Sequence, residues 1–398
     1  MTRDLERNET RSPHPVGFAG MPGKVLLTGA SGFLGLHLLR ELLLEHGATV
    51  TCLLRGASTE QVQRSIEEKW RWFFPETALD PHRQRLHVVV ADVTAPRLGL
   101  AERAYDALAE THGAVFNAAA NVSGGGGLED VLPVNVGLVQ SLIDLCRHGS
   151  LKHLHHVSTV SVTGYFASRP SLEAFAERHL EEGQTFADAY GESKYRAEKI
   201  LRAAMADGIA ATAYRVGYIG PHSQTGKFQQ NPDQNYTSRY LQACIRLGFA
   251  PYLPQTQVPL TPVDTVARAI LALASRGDSA AQTYYVETPH PVTHYDIMRV
   301  LQAAGYPLRL MALDDLIACA RTLSTDEAAL GLVLPHGTEP YPVPIDARFS
   351  RESLAAGGFA YEPPSSEWLG RFVRHAIEVG FLPAPRYWQA APLPAGLF

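Results

Sequence analysis

The chain has 398 residues, 45% hydrophobic and 19% charged, enough for a large globular domain with an attached lobe. A net charge of −5 with histidine neutral supplies no basic field for nucleic acid and no polybasic membrane signal. Cys52, Cys146, Cys244 and Cys319 form no CxxC pair and read as reduced thiols of a cytoplasmic protein, and no run of about eighteen apolar residues is present to span a membrane.

Met1 to Gly20 are polar, with two prolines and no apolar signal segment, and are expected to form a disordered leader. From Lys24 short apolar runs alternate with longer amphipathic ones. Lys24–Thr28 reads as a strand and Phe33–Glu45 as a helix. Then come a strand at Thr49–Leu54, a helix around Glu60–Phe73, and strands at Leu86–Val90 and Ala114–Asn117. A helix at Val134–Arg147 leads to a strand at His153–Ser158, a helix at Ala187–Ala206 and a strand at Ala211–Arg215. The strands are Val/Leu-rich with little polar alternation, so both faces are expected to be buried. Such alternation predicts an α/β, Rossmann-type, doubly wound parallel sheet.

After Gly217 the regularity breaks. Ile219–Asp233 is rich in Gly, Pro, Gln and Asn and reads as a long functional loop. A helix near Tyr240–Leu247, another at Val263–Ser275 and a last strand at Thr283–Val286 follow. Helices near Tyr295–Ala304, Asp314–Leu323 and Trp368–Val379 then build a smaller, mainly helical lobe. The expected division is a leader at 1–20, a nucleotide-binding domain at 21–287 and a C-terminal substrate lobe at 288–398, with 219–260 contributing to the lobe.

Thr28-Gly29-Ala30-Ser31-Gly32-Phe33-Leu34-Gly35 lies between the first strand and the first helix. Its glycines allow a tight turn and close approach of a pyrophosphate, and the helix N-terminus supplies N–H donors. Arg55 closes the second strand, where an acid would suit the ribose hydroxyls of NAD. Its guanidinium instead suits a 2′-phosphate, hence NADPH. Asp92, after the third strand, is placed to meet the adenine. Asn117-Ala118-Ala119-Ala120 puts small side chains where a cofactor would lie.

Tyr190-Gly191-Glu192-Ser193-Lys194 carries the strongest chemical signal. Residues four apart share a helix face, so the Lys194 ammonium is expected to lower the phenol's pKa and to hold the nicotinamide ribose. Thr159, at the end of the fifth strand, can join Tyr190 as a second donor to an oxyanion, with Ser158 and Ser161 as rivals. His153, His155 and His156 read as core or edge histidines rather than metal ligands. Gly124–Gly127 is no Walker loop and reads as a flexible lip over the cofactor.

Together TGASGFLG, Arg55, Thr159 and YGESK resemble the extended short-chain dehydrogenase/reductase superfamily. Arg215-Val216-Gly217-Tyr218-Ile219-Gly220-Pro221-His222-Ser223-Gln224-Thr225-Gly226 narrows the resemblance to the thioester reductase domains of nonribosomal peptide and polyketide synthases. Leu247-Gly248, Thr261-Pro262-Val263-Asp264 and Gly380-Phe381-Leu382-Pro383-Ala384-Pro385 match the same pattern. Tyr218 stands where an asparagine is common, and Pro221-His222 replaces a small or acidic pair. The resemblance implies NADPH-dependent release of an acyl thioester from a phosphopantetheinyl acyl or peptidyl carrier protein, as an aldehyde or alcohol. Thr159, Tyr190 and Lys194 would be catalytic. Two other readings stay open: an extended dehydrogenase or epimerase acting on a free small molecule, and a redox-inactive cyclase or regulator.

Overall fold

Strands buried on both faces need helices above and below. In the computed structural model, which describes residues 23–122, 127–150, 152–166, 172–231, 236–323 and 343–385 with 329 and 333, seven of them form one parallel sheet. These are β1 (Lys24–Thr28), β2 (Thr49–Leu54), β3 (Leu86–Val90), β4 (Ala114–Asn117), β5 (His153–Thr159), β6 (Ala211–Val216) and β7 (Gln282–Val286). Their spatial order is β7-β6-β5-β4-β1-β2-β3, and every pairing is parallel. The order reverses between β1 and β4, which opens a crevice at the carboxyl ends of those strands.

Strand alternation sends neighbouring residues to opposite cores. Val25 and Leu27 join one core with Leu38 of α1 (Phe33–Leu44), Trp70 of α2 (Thr59–Phe73) and Ile270 of α7 (Val263–Ala274). Leu26 joins the other, with Leu108 of α3 (Glu102–Thr111), Leu142 of α4 (Leu138–Arg147) and Leu201 of α5 (Ala189–Ala206). A third core unites Leu241 of α6 (Tyr236–Leu247), Met298 of α8 (His294–Ala303), Leu316 of α9 (Leu313–Leu323) and Phe372 of α11 (Ser366–Glu378).

Among the described residues, three α-helical segments depart from the sequence reading. Helix α3 was not foreseen: only Tyr105, Leu108 and Ala109 of its ten residues are buried. The helix expected from Val134 begins earlier, at Leu128–Leu132, and passes through a π turn at Pro133–Gly137 into α4. Helix α10 (Arg348–Ala356), also unforeseen, packs on the sheet rather than in the third core. Its Leu354 enters the first core, and its Ser350 Oγ accepts the β7 N–H of Tyr285 at 2.7 Å. The leader 1–20 lies outside the described residues, as do Gly124, Gly125 and Gly126 of the expected lip.

Candidate active site

The turn after β1 is shaped by close backbone packing. Gly29 has φ +75°, and a Cβ there would lie 2.5 Å from the Ala118 carbonyl carbon. A Cβ on Gly35 would lie 2.0 Å from the Gly29 oxygen, so α1 sits directly against the turn. Gly32 is the exposed N-cap of α1 and meets only the Gly29 oxygen, at 3.2 Å. This open cradle, with helix N–H groups facing it, fits the pyrophosphate of a dinucleotide. The Phe33 ring turns away and packs on Phe73 and Phe228 at 5.6 and 5.4 Å, and Leu34 is buried. Those two residues therefore have only backbone N–H groups to offer a phosphate. Lys69, half-buried on α2, donates to the Ser31 carbonyl at 2.5 Å. Sequence reasoning missed it, since it shows only as a polar position on an amphipathic helix.

Arg55 and Asp92 are both exposed, at the carboxyl ends of β2 and β3. Asp92 accepts from the Thr94 hydroxyl at 2.6 Å and the Thr94 N–H at 3.0 Å. These bonds, more than the Arg55 charge, hold its carboxyl below the usual carboxylate pKa.

Strand β5 ends at Thr159, which starts a 3-10 turn over Val160–Thr163. The Thr159 hydroxyl accepts from the Ser161 N–H at 3.2 Å and donates to the Ser161 hydroxyl at 3.3 Å. Ser161 therefore adjoins Thr159 although the strand does not continue. The other rival, Ser158, is buried and donates to Glu198 at 2.5 Å, which removes it from the crevice.

Asp188 caps α5 by accepting the Gly191 N–H at 2.7 Å. Tyr190 and Lys194 follow on the first turns. Burial pushes the Tyr190 phenol up to about 12, against a hydrogen bond with Thr159 that pulls it down. The expected lowering by Lys194 is not what the geometry gives. Lys194, 1% exposed, donates to the Val157 carbonyl at 2.6 Å and lies 3.2 Å from His156 Nε2. Its charge is thereby turned toward β5. Burial lowers its amine to about 8, with Glu198 opposing. Tyr190 interacts with Thr159, and Lys194, one turn further on, bonds Val157, two residues before Thr159, so all three lie near the carboxyl end of β5.

The histidines divide by strand alternation. His153 and His155 stack at 4.0 Å on one face, where His155 also bonds the Tyr214 hydroxyl at 2.8 Å. His156 lies on the other face beside Lys194. Its role was missed because its partners Asn117 and Lys194 are 39 and 38 residues away, and no spacing rule joins them. Glu287, just past β7, was also missed; burial pushes its carboxyl up to about 7. Among the described residues, no group of three or more His, Cys, Asp or Glu converges on a metal-sized site, and no helix is long and apolar enough to cross a membrane.

Much of the loop after Gly217 is clamped. Ser223 donates to Asp264 through its N–H at 2.8 Å and its hydroxyl at 2.6 Å. From α11, Trp368 donates to the Pro221 carbonyl at 3.3 Å and Arg371 to the Ser223 carbonyl at 2.9 Å.

Residues 27–270 match the Male sterility protein family of NAD-binding domains. The isonitrile lipopeptide synthase of Streptomyces coeruleorubidus is 31% identical over 391 residues, 94% of this chain but 26% of that protein. The chain thus spans about a quarter of the length of that curated relative. The crystal structure of the terminal R domain from the myxalamid PKS-NRPS biosynthetic pathway superposes with a TM-score of 0.81 at 29% identity, over 92% of this chain and 94% of that one. The reductase domain of a nonribosomal peptide synthetase from Mycobacterium tuberculosis gives 0.73 at 27% identity, over 91% and 93%.

Proposed function

The chain belongs to the Male sterility protein family, whose domains bind a pyridine nucleotide, and from that membership we propose that it is an NADPH-dependent thioester reductase. The acyl group would arrive on the phosphopantetheine arm of an acyl or peptidyl carrier protein and leave as an aldehyde, or as an alcohol after a second reduction. The observation that carries this reading is the Gly29–Gly35 turn, whose close backbone packing leaves an open cradle at the N-terminus of α1. The likeness to reductase domains of peptide and polyketide synthases supports it.

NADPH, when bound, supplies the hydride. The chain supplies orientation and donors. The turn and the α1 N-terminus would hold the pyrophosphate, Arg55 the 2′-phosphate and Asp92 the adenine side. Lys194 would hold the nicotinamide ribose with an N–H left over from the Val157 carbonyl and His156. Thr159 and Tyr190 point two hydroxyls at the thioester oxygen, where negative charge develops as the carbonyl is reduced. Tyr190 would donate the proton, its phenol being protonated at neutral pH. The resulting hemithioacetal collapses to an aldehyde and a free thiol. The division into a nucleotide-binding part through residue 287 and a substrate lobe beyond it belongs to the same proposal, with α10 assigned to the sheet.

The reading is tested by mixing the protein with NADPH and a panel of acyl-pantetheine thioesters. Loss of reduced-nicotinamide absorbance with release of thiol is expected, faster than with NADH. Thiol release with a cyclised product and no nicotinamide oxidation would instead favour the redox-inactive cyclase.

A further inference from the structure

Four polar side chains cross the middle of the sheet in one row: Thr28 on β1, Asn117 on β4, His156 on β5 and Lys194 on α5. The strand register places Thr28 opposite Asn117 and Asn117 opposite His156. None is more than 1% exposed. Thr28 Oγ1 lies 2.7 Å from Asn117 Oδ1, Asn117 Nδ2 lies 3.1 Å from His156 Nδ1, and His156 Nε2 lies 3.2 Å from Lys194 Nζ. Buried polar groups are costly unless bonded, so the row must be satisfied as a unit. Burial keeps His156 uncharged, its pKa far below the ordinary histidine value.

A neutral imidazole has one donor and one acceptor nitrogen, which leaves two arrangements. If Lys194 is an ammonium, it donates to Nε2. The ring proton then sits on Nδ1 and donates to the Asn117 amide oxygen, while the amide nitrogen donates to Thr28. If Lys194 is an amine, its lone pair can accept while one N–H still serves the Val157 carbonyl, and every bond of the row can reverse. Nε2–H donates to Nζ, the amide nitrogen donates to Nδ1, and the Thr28 hydroxyl donates to the amide oxygen. A half-turn of the Asn117 amide exchanges its oxygen and nitrogen, so one set of heavy-atom positions accommodates both.

We propose that His156 is a positioning residue for Lys194, and that through Asn117 it couples the proton on Lys194 to the direction of the Thr28 hydroxyl at the base of the nucleotide turn. Its meaning for turnover rests on the reductase reading, but its geometry does not. In the ammonium arrangement the Thr28 hydrogen is free to be donated elsewhere; in the amine arrangement it is spent on Asn117. Other charges around the lysine are already committed. Tyr190 lies one turn before it and Glu198 one turn after. Glu198 is paired with Arg215 of β6 at 2.9 Å, and β4 contributes only the neutral Asn117.

The test follows the ring-nitrogen shifts of His156 in the full chain, labelled with 15N-histidine, from about pH 6 to about pH 10. The signal is assigned by its loss in His156→Gln. A neutral Nδ1–H tautomer is expected at the acid end and Nε2–H at the alkaline end, crossing as Lys194 titrates near 8. Thr28→Val removes the hydroxyl that accepts from the Asn117 amide in the ammonium arrangement and donates to it in the amine arrangement, and because an orphaned N–H and an orphaned oxygen differ in cost it should move the crossing. A single tautomer throughout, or a crossing that Thr28→Val leaves in place, overturns the coupling. In NADPH titrations by fluorescence, His156→Leu should bind about tenfold more weakly, the loss of one hydrogen bond to a charged group. His156→Gln, which keeps an acceptor and a donor, should restore most of the affinity. Wild-type affinity in the leucine variant would refute the positioning role. Absence of turnover in the unmutated chain would count against the reductase reading alone, since the tautomer measurement needs no substrate.

Discussion

Tyr190, Thr159 and Lys194 are proposed to divide one reaction, so their variants should fail differently. Tyr190→Phe removes the proton donor and one oxyanion contact, both needed only as charge develops. Turnover should fall at least about 100-fold while NADPH affinity stays near that of the unmutated chain. Stopped-flow turnover and fluorescence titration check the two halves, and unchanged turnover would remove the assignment. Thr159→Val should lose rate alone and less of it, because Tyr190 remains. Ser161→Ala should lose a little rate as well, because its hydroxyl lies 3.3 Å from that of Thr159. Arg55 is testable by cofactor choice. Arg55→Ala should weaken NADPH at least about tenfold and NADH little, since only the 2′-phosphate contact is lost. Equal losses would take Arg55 out of that role. The alkaline side is set by Lys194. Its amine is lowered to about 8, so the ammonium that grips the ribose is present below that pH and is lost as pH rises through it. The rate at saturating thioester should therefore decline above about pH 8 rather than near the ordinary lysine value of about 10.4.

At the scale of elements, legibility followed periodicity. Strands that are apolar on both faces, such as Ala114–Asn117, declared themselves within one residue. So did helices such as Thr59–Phe73, where Val62, Ile66, Trp70 and Phe73 repeat at three and four. Helix α3 was hidden because a surface helix needs few apolar residues, and α10 because its anchor is a serine bonded to the β7 backbone. In the site, TGASGFLG and YGESK were readable because each lies within one local segment. The row from Thr28 to Lys194 was not, since sheet register alone brings its members together. Arg215 shows the same limit. Its motif position suggested family, whereas its guanidinium lies wholly buried, bonded to Glu198, the Tyr285 hydroxyl and the His179 carbonyl. Glu198→Ala would leave that charge buried without its counter-ion, which typically costs about 3–5 kcal/mol. Urea unfolding should register the loss, and a change below about 1 kcal/mol would mean that the pair is not holding α5 to β6.

Over the whole molecule, the clamp between the 219–227 loop and α11 ties the nucleotide-binding sheet to the third core. Gly226 is central to it. Its φ is +68°, and a Cβ there would lie 2.4 Å from the Arg371 carbonyl carbon. Gly226→Ala should therefore lower the melting temperature, and an unchanged transition would show that the loop yields. The central claim, hydride transfer to a carrier-bound thioester, is tested most directly with NADPH deuterated at the transferable position of the nicotinamide and an acyl group loaded on a phosphopantetheinyl carrier protein. Mass spectrometry of the released product should find an aldehyde or alcohol that has gained deuterium at the former carbonyl carbon, with the carrier thiol freed. A free acid or cyclised product without deuterium would contradict the account.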